Sequence, residues 1–422
     1  MEKVKVYQIG VSGIGRFGFE KLVDISKEFE EVEICGLCGR DFDAVERAER
    51  FAEANGIEME TFEHVEKMYE EARSGKDMDE NVMVYDAGPM EKRSDNIYRS
   101  MQNDFFHLSE RPPSMNRDEH LREKRLSEEG RAMWKCDFVE REHPVLKKAV
   151  KLLEGKEVGE IEVFRESSVG VEKALNNFSR LDVKGGDILD RMVNEVFVLD
   201  LLEAAASEAE LELEEARARN FQPRSVDSEN FMDIYGGKSE SLSYETATSM
   251  TKAEFSSGNA EIKLHSSWMG LSEEAMLISQ QVEQELSHRL FERDTAMLRD
   301  SAYVREEARF FVVRGEKELV GDLLHGRLFD LEKGEEIEPP EYLHDPLHRV
   351  IEKAVFSAMG REAGMITGKE IDVFMGGIFD VKESIDTGKD YFGELENAQQ
   401  KLEGLVVEDS KPFEFENYEV AG

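Results

Sequence analysis

The chain has 422 residues, with 93 Asp and Glu against 54 Lys and Arg, a formal charge of −39. That field repels phosphate backbones and excludes nucleic acid as a natural partner, while 40% hydrophobic residues are enough for packed cores at a length that predicts two domains. Three cysteines do not make a disulfide framework, and no run approaches the roughly 20 apolar residues that span a bilayer.

Residues 4–9 read as a strand, followed by the glycine turn Gly13-Ile14-Gly15-Arg16-Phe17-Gly18. Apolar spacing at Phe19, Leu22, Val23 and Ile25 predicts a helix over 19–29. A second strand is expected at 32–37 and a helix at 43–55, stopped by Gly56. Strands at 82–85 and 105–108 flank a helix at 97–102, and 134–139 reads as the last strand of this layer. Such βαβα order predicts a parallel sheet with helices on both faces, a Rossmann domain over 1–142. Over 143–422 the pattern changes to an α+β domain with an open-faced, largely antiparallel sheet. A helix is expected at 144–153, a strand at 161–165, and a long apolar helix at 184–206 that 207–219 extends as a charged, solvated stretch. Strands follow at 243–250, 252–255, 260–268, 308–314 and 318–323, then helices at 347–359 and 369–384 and an acidic tail from Tyr391.

A Gly-x-Gly-x-x-Gly turn between a first strand and a helix is the dinucleotide fingerprint. Gly13 is expected to permit the turn, Gly15 to let a diphosphate approach the backbone, and Gly18 to let the helix lie on the strand, with Ile14, Arg16 and Phe17 between them. The alternative is a glycine turn without a ligand. The second strand runs out into Cys38-Gly39-Arg40-Asp41. Gly39 removes the carboxylate that would repel a 2′-phosphate and Arg40 supplies a planar cation, which favours NADP over NAD. Alternatively, Arg40 is solvated, and Asp41 caps the next helix or reaches the ribose.

With these motifs in place, the chain resembles the Gfo/Idh/MocA oxidoreductases. The matching pieces are the 13–18 turn, Asp86-Ala87-Gly88-Pro89, Glu110-Arg111-Pro112 at the family's Glu-Lys-Pro, and Arg141-Glu142-His143-Pro144 at its Arg-x-x-Pro step. Gly155 to Ile161 and Lys184-Gly185-Gly186-Asp187-Ile188-Leu189-Asp190 follow in the family's order. The similarity covers most of 1–385, with an insertion around 203–240. It implies hydride transfer between a nicotinamide cofactor and a sugar, polyol or related alcohol or carbonyl compound. It also implies cofactor contacts at Ala87, Gly88, Pro89 and Glu110, and a homo-oligomer joined through the open sheet face.

The family's lysine and histidine positions hold Arg111 and Asn194 here, while Asp190 keeps the acidic one. Arginine polarises an oxygen but accepts no proton, and asparagine does not titrate. Three readings follow: an oxidoreductase with a rearranged acid/base group (Asp190, Asp187, Lys184 or Glu195), a cofactor-binding sensor or scaffold with little turnover, or a non-redox use of the dinucleotide. Arg111, Asp190 and Asn194 are the expected catalytic residues, and Lys184, Asp187 and Arg141 the expected substrate contacts. Against these stand ordinary first-turn acids at Asp187 and Asp190, a loop lysine at Lys184 and a salt-bridged strand end at Arg141. No metal site is expected. Cys35 and Cys38 read as buried strand residues facing opposite sides, and His344 and His348 as a helix-surface pair. The location expected is a cytoplasm, and the acidic surface suits a salty one in which counter-ions screen it.

Overall fold

The computed structural model describes residues 3–75, 80–128, 134–167, 188–189, 191–205, 210–219, 250–267, 275, 307–361, 363–365 and 368–386. Strands β1 (Lys3–Ile9), β2 (Val32–Cys38), β3 (Glu60–Phe62), β4 (Glu80–Asp86), β5 (Phe106–Ser109) and β6 (Trp134–Cys136) form one sheet in the order β3-β2-β1-β4-β5-β6. Every neighbouring pair is parallel. Parallel strands need crossovers, and the crossovers cover both faces. Accordingly Val82, Met83, Val84 and Tyr85 are all buried, with no polar alternation.

The crossovers are α1 (Ile14–Glu28), α2 (Phe42–Ala54), α3 (Val65–Ser74), α4 (Met90–Gln102) and α5 (Arg117–Glu128). Helix α1 starts before its apolar periodicity does. Its first turns pack through glycine: a Cβ on Gly18 would lie 2.3 Å from the Tyr85 ring. Strand β3 is too short for alternation to show. Helix α5 has few apolar residues to mark a face, and neither was expected.

The second sheet holds β7 (Val158–Ser167), β8 (Glu212–Arg219), β9 (Met250–Ser257), β10 (Ala260–Ser267), β11 (Glu307–Gly315), β12 (Leu319–Asp322), β13 (Arg327–Asp330) and β14 (Glu335–Ile337). Its order is β14-β13-β12-β11-β7-β10-β9-β8, antiparallel except between β7 and β10. One face packs on α6 (Pro144–Leu153), α7 (Val198–Ala204) and α9 (Gly368–Asp386). Helix α8 (Pro346–Ala358) instead returns to the first sheet, where Val350, Ile351 and Val355 share a core with Phe19, Leu22 and Tyr85.

Two expectations are corrected. The charged stretch 207–219 is not a helix extension where it is described: it contains β8. Its inward residues are Leu211, Leu213 and Ala216, and a bulge between Leu213 and Glu215 breaks the alternation that would have marked a strand. The described part of 184–206 is a 3₁₀ turn over Met192–Phe197 followed by the short α7. All six turn residues are buried, so no polar stripe sets a helical period. On the other face Phe164, Phe310, Val312, Val320 and Phe329 form a second buried cluster, with Ala275 against them. Among the described residues no helix is long and apolar enough to cross a membrane.

Candidate cofactor cleft and active site

The turn after β1 is tighter than the glycine spacing suggests, and it falls earlier. Gly10 has φ +81°, and a Cβ there would lie 2.6 Å from the Ala87 carbonyl oxygen. Gly13, at φ +56°, precedes α1 with open space beside it and makes no side-chain cap bond. Gly15 does not hold the backbone open for a ligand, the role expected of it. A Cβ there would sit 2.5 Å from the Gly10 carbonyl oxygen, so Gly15 packs the helix onto the turn. Buried Gln8 ties both parts, its Nε2 donating to the carbonyls of Gly10 and Gly15 at 2.7 Å each. The result is an open helix N-terminus whose first N–H groups have no side-chain acceptor from the cap residue. Such a terminus attracts anions. Ile14 and Phe17 are exposed, and Arg16 pairs with Glu20 at 2.9 Å on the outer surface of α1.

This turn borders a cleft of about 540 Å³ at the switch point between β1 and β4. Gly10, Ser12, Gly39, Arg40, Gly88 and Pro89 line it, with Lys92 and Arg99 as further cations and Asp41, Glu63, Glu66 and Asp95 as acids; Arg99 pairs with Glu66 at 2.7 Å. Arg40 is exposed at the rim. Asp41 takes the capping role: its carboxylate accepts from the Ala44 N–H and the Ser12 hydroxyl, both at 3.1 Å. Those two bonds hold its pKa below the ordinary value.

The β4 end is fixed by a buried polar chain. Asp86 accepts from the Gly88 N–H at 2.9 Å and from Asn96 Nδ2 at 2.8 Å. Burial raises its pKa. His107 bonds Ser100 at 2.8 Å, Ser100 bonds Tyr69 at 2.7 Å, and burial pushes the His107 imidazole down to about 3, so the ring is neutral. Arg93 clamps two loops, donating to the carbonyls of Gly88, Arg111 and Pro112. Ala87 and Gly88 are thereby held against Gly10, and Glu110 is anchored by its N–H to the Asp86 carbonyl at 2.8 Å.

Arg111 precedes a cis peptide to Pro112. It lies among ionisable groups from several segments: against burial, the Arg165 charge and then that of Arg111 hold the Glu140 carboxyl below its ordinary pKa, and Arg111 also favours the charged form of Asp137. Asp137 is fully buried beneath it; burial first, then the Glu110 charge, push its carboxyl far above the usual range. Arg165 of β7 donates to Glu140 at 2.6 Å and lies 3.7 Å from Glu195. Burial raises the Glu195 pKa from 4.5 to about 8. A carboxyl so poised is the kind used for proton transfer near neutrality. Asp137, Glu140 and Arg165 carry no local motif; only the packing of the 137–142 segment against β7 brings them together.

The remaining expected residues divide. Arg141 does not stand as an open substrate contact: it donates to Asp200 and to Glu370 at 2.7 Å, tying the 139–142 turn to α7 and α9. Asn194 is 1% exposed and its Nδ2 donates to the Arg191 carbonyl at 2.8 Å, so it builds its own turn. Asp190, Lys184 and Asp187 lie outside the described residues. Cys35 and Cys38 do not face opposite sides: the β1–β2 register shifts beside Ile34 and Gly36, and both cysteines pack on the same cluster. Burial raises their thiol pKa values to about 12 and about 11.

No family model matches the chain, and no curated protein matches it in sequence. Solved structures do. UDP-N-acetylglucosamine 3-dehydrogenase GnnA from Acidithiobacillus ferrooxidans aligns with a TM-score of 0.60 at 16% identity, over 90% of this chain and 97% of that one. GenD2 from gentamicin A biosynthesis, solved in complex with NAD, aligns at 0.61 and 13% identity, over 92% and 96%. The myo-inositol 2-dehydrogenase from Lactobacillus plantarum aligns at 0.60 and 11%, over 92% and 98%. The shared fold is a Rossmann domain joined to a largely antiparallel second sheet, the architecture that the Gfo/Idh/MocA resemblance implies.

Proposed function

We propose that this chain is a nicotinamide-dependent oxidoreductase acting on a sugar, polyol or related small alcohol or carbonyl compound, with NADP preferred over NAD. The observation that carries this reading is the cleft at the strand-order switch point, lined by the Gly10 to Ser12 turn that leads into the uncapped N-terminus of α1. The residues fit a dinucleotide. Backbone N–H groups beside Gly13 would hold its diphosphate, Arg40 its 2′-phosphate, and Gly88 and Pro89 would border it. When bound, the nicotinamide supplies the hydride acceptor or donor.

The chain's own residues would supply orientation and the proton. Arg111 would hold the reacting oxygen by its N–H groups and stay charged throughout. The proton would pass to or from Glu195, neutral near pH 7 and balanced between Arg165, which favours its charged form, and Glu140, which opposes it. Asp190 is the residue to which the resemblance gives this task, and it lies five positions earlier on the same segment. Fold similarity supports an oxidoreductase and leaves substrate identity to experiment.

The test is turnover with NADPH or NADP⁺ against a panel of sugars, polyols and sugar nucleotides, read by reduced-nicotinamide absorbance. Turnover that Glu195→Gln or Asp190→Asn abolishes is expected. Stoichiometric cofactor binding with no substrate-dependent oxidation or reduction across the panel would overturn the enzymatic reading.

A further inference from the structure

We propose that Glu28, His344 and His348 bind a divalent transition-metal ion of the zinc class. The three come from opposite ends of the described chain: Glu28 closes α1, His344 lies just before α8, and His348 sits in the first turn of α8. One ligand atom from each lies within 4.8 Å of the other two. His344 Nε2 is 3.8 Å from Glu28 Oε1, and the two imidazoles stack with centroids 3.9 Å apart.

A second observation points to a ligand. His348 is 2% exposed, and its buried Nε2 has no hydrogen-bond partner. A buried ring nitrogen ordinarily has one. Asp345 does not serve it: that carboxylate is taken by Lys21 at 2.5 Å and by the His348 backbone N–H at 3.0 Å.

The donor distances are near what a metal needs, and the stacked His344 ring would tilt away from His348 so that both lone pairs converge on one ion. Bonds of about 2.0–2.1 Å in a tetrahedron set donors roughly 3.3 Å apart. The gap to be closed is therefore small. The side chains of Glu28 and His344 are 42% and 28% exposed and have room to move, while buried His348 provides the fixed point. Two imidazoles and one carboxylate suit zinc and its neighbours over magnesium or calcium, which prefer oxygen. Water would complete the shell. The ion would clasp the returning helix α8 to the end of α1, away from the dinucleotide cleft.

The test uses the full chain, stripped with chelator and dialysed against Zn²⁺ or Co²⁺. One ion per chain is expected, with the visible absorption of tetrahedral Co²⁺ and a melting temperature that rises with added metal. Glu28→Gln and His344→Ala, both at partly exposed positions, should each weaken uptake by roughly 100-fold or more, since loss of outer-shell partners alone costs 10–100-fold. His348→Gln should abolish the Co²⁺ spectrum. NADPH affinity should be unchanged in the Glu28 and His344 variants, which separates this site from the cofactor reading. Absence of stoichiometric uptake by the wild-type chain, or uptake undiminished in both of those variants, would overturn the proposal.

Discussion

The dinucleotide cleft beside α1 and the charged cluster around Arg111 are built in different ways. At the α1 end the shape is made by backbone: Gly10 and Gly15 bring three main-chain segments into contact, and no titratable side chain is needed. At the Arg111 end the shape is made by charge: Asp137, Glu140, Arg165 and Glu195 arrive on three segments and set one another's protonation. The first kind of site tolerates no added atoms. The second tolerates altered shape better than altered charge.

The sharpest break of this comparison is Gly10→Ala. Left-handed backbone costs an L-residue roughly 1–2 kcal/mol, and the new Cβ would also strike the Ala87 carbonyl. Together these predict a loss above about 3 kcal/mol, of the size that overpacked cores show, and no measurable NADPH binding. Chemical denaturation and nucleotide titration would check both.

Next in size is Glu195→Gln. Loss of a general acid or base typically costs about 10²–10⁴ in turnover, and NADPH affinity should stay near wild type. The same variant has a pH signature. Glu195 is raised from 4.5 to about 8. Between those values the native state keeps a proton that the unfolded chain has lost, so its contribution to stability is full below pH 4.5 and falls as pH rises to about 8. Glu195→Gln should flatten the stability profile in that window; an unchanged slope would contradict the assignment.

How much could be read from the chain alone follows the same division. The strand–turn–helix start, Arg40 and the capping alternative for Asp41 were legible because each is written in adjacent residues. Even there, spacing pointed to Gly15 as the ligand-side glycine, while the structure packs Gly15 on the Gly10 carbonyl. That contact is invisible without the turn's conformation. Of the charged cluster only Arg111 and Glu195 had local cues. Asp137 and Arg165 look like ordinary strand-end residues until the 137–142 segment meets β7. Strand β8 was hidden by its bulge, and the 3₁₀ turn before α7 by burial on every side.

Two smaller effects sharpen the account of the backbone-built end. Arg40→Ala should weaken NADPH by about 10–100-fold, the worth of a charge-assisted hydrogen bond near 1.5–3 kcal/mol, and leave NADH nearly unchanged. Equal losses for both nucleotides would remove the 2′-phosphate assignment. Gly13→Ala should cost about 1–3 kcal/mol from backbone strain alone, since φ +56° with ψ −123° is a conformation that glycine adopts and alanine resists, while nothing lies within 4 Å of the new methyl group. A loss as large as that of Gly10→Ala would mean that the turn is packed at both glycines.

The central claim is tested most directly by fluorescence titration of the full chain with NADPH and, in parallel, NADH. The account predicts saturable binding of one nucleotide per chain, tighter for NADPH. Failure of both nucleotides to bind would contradict it.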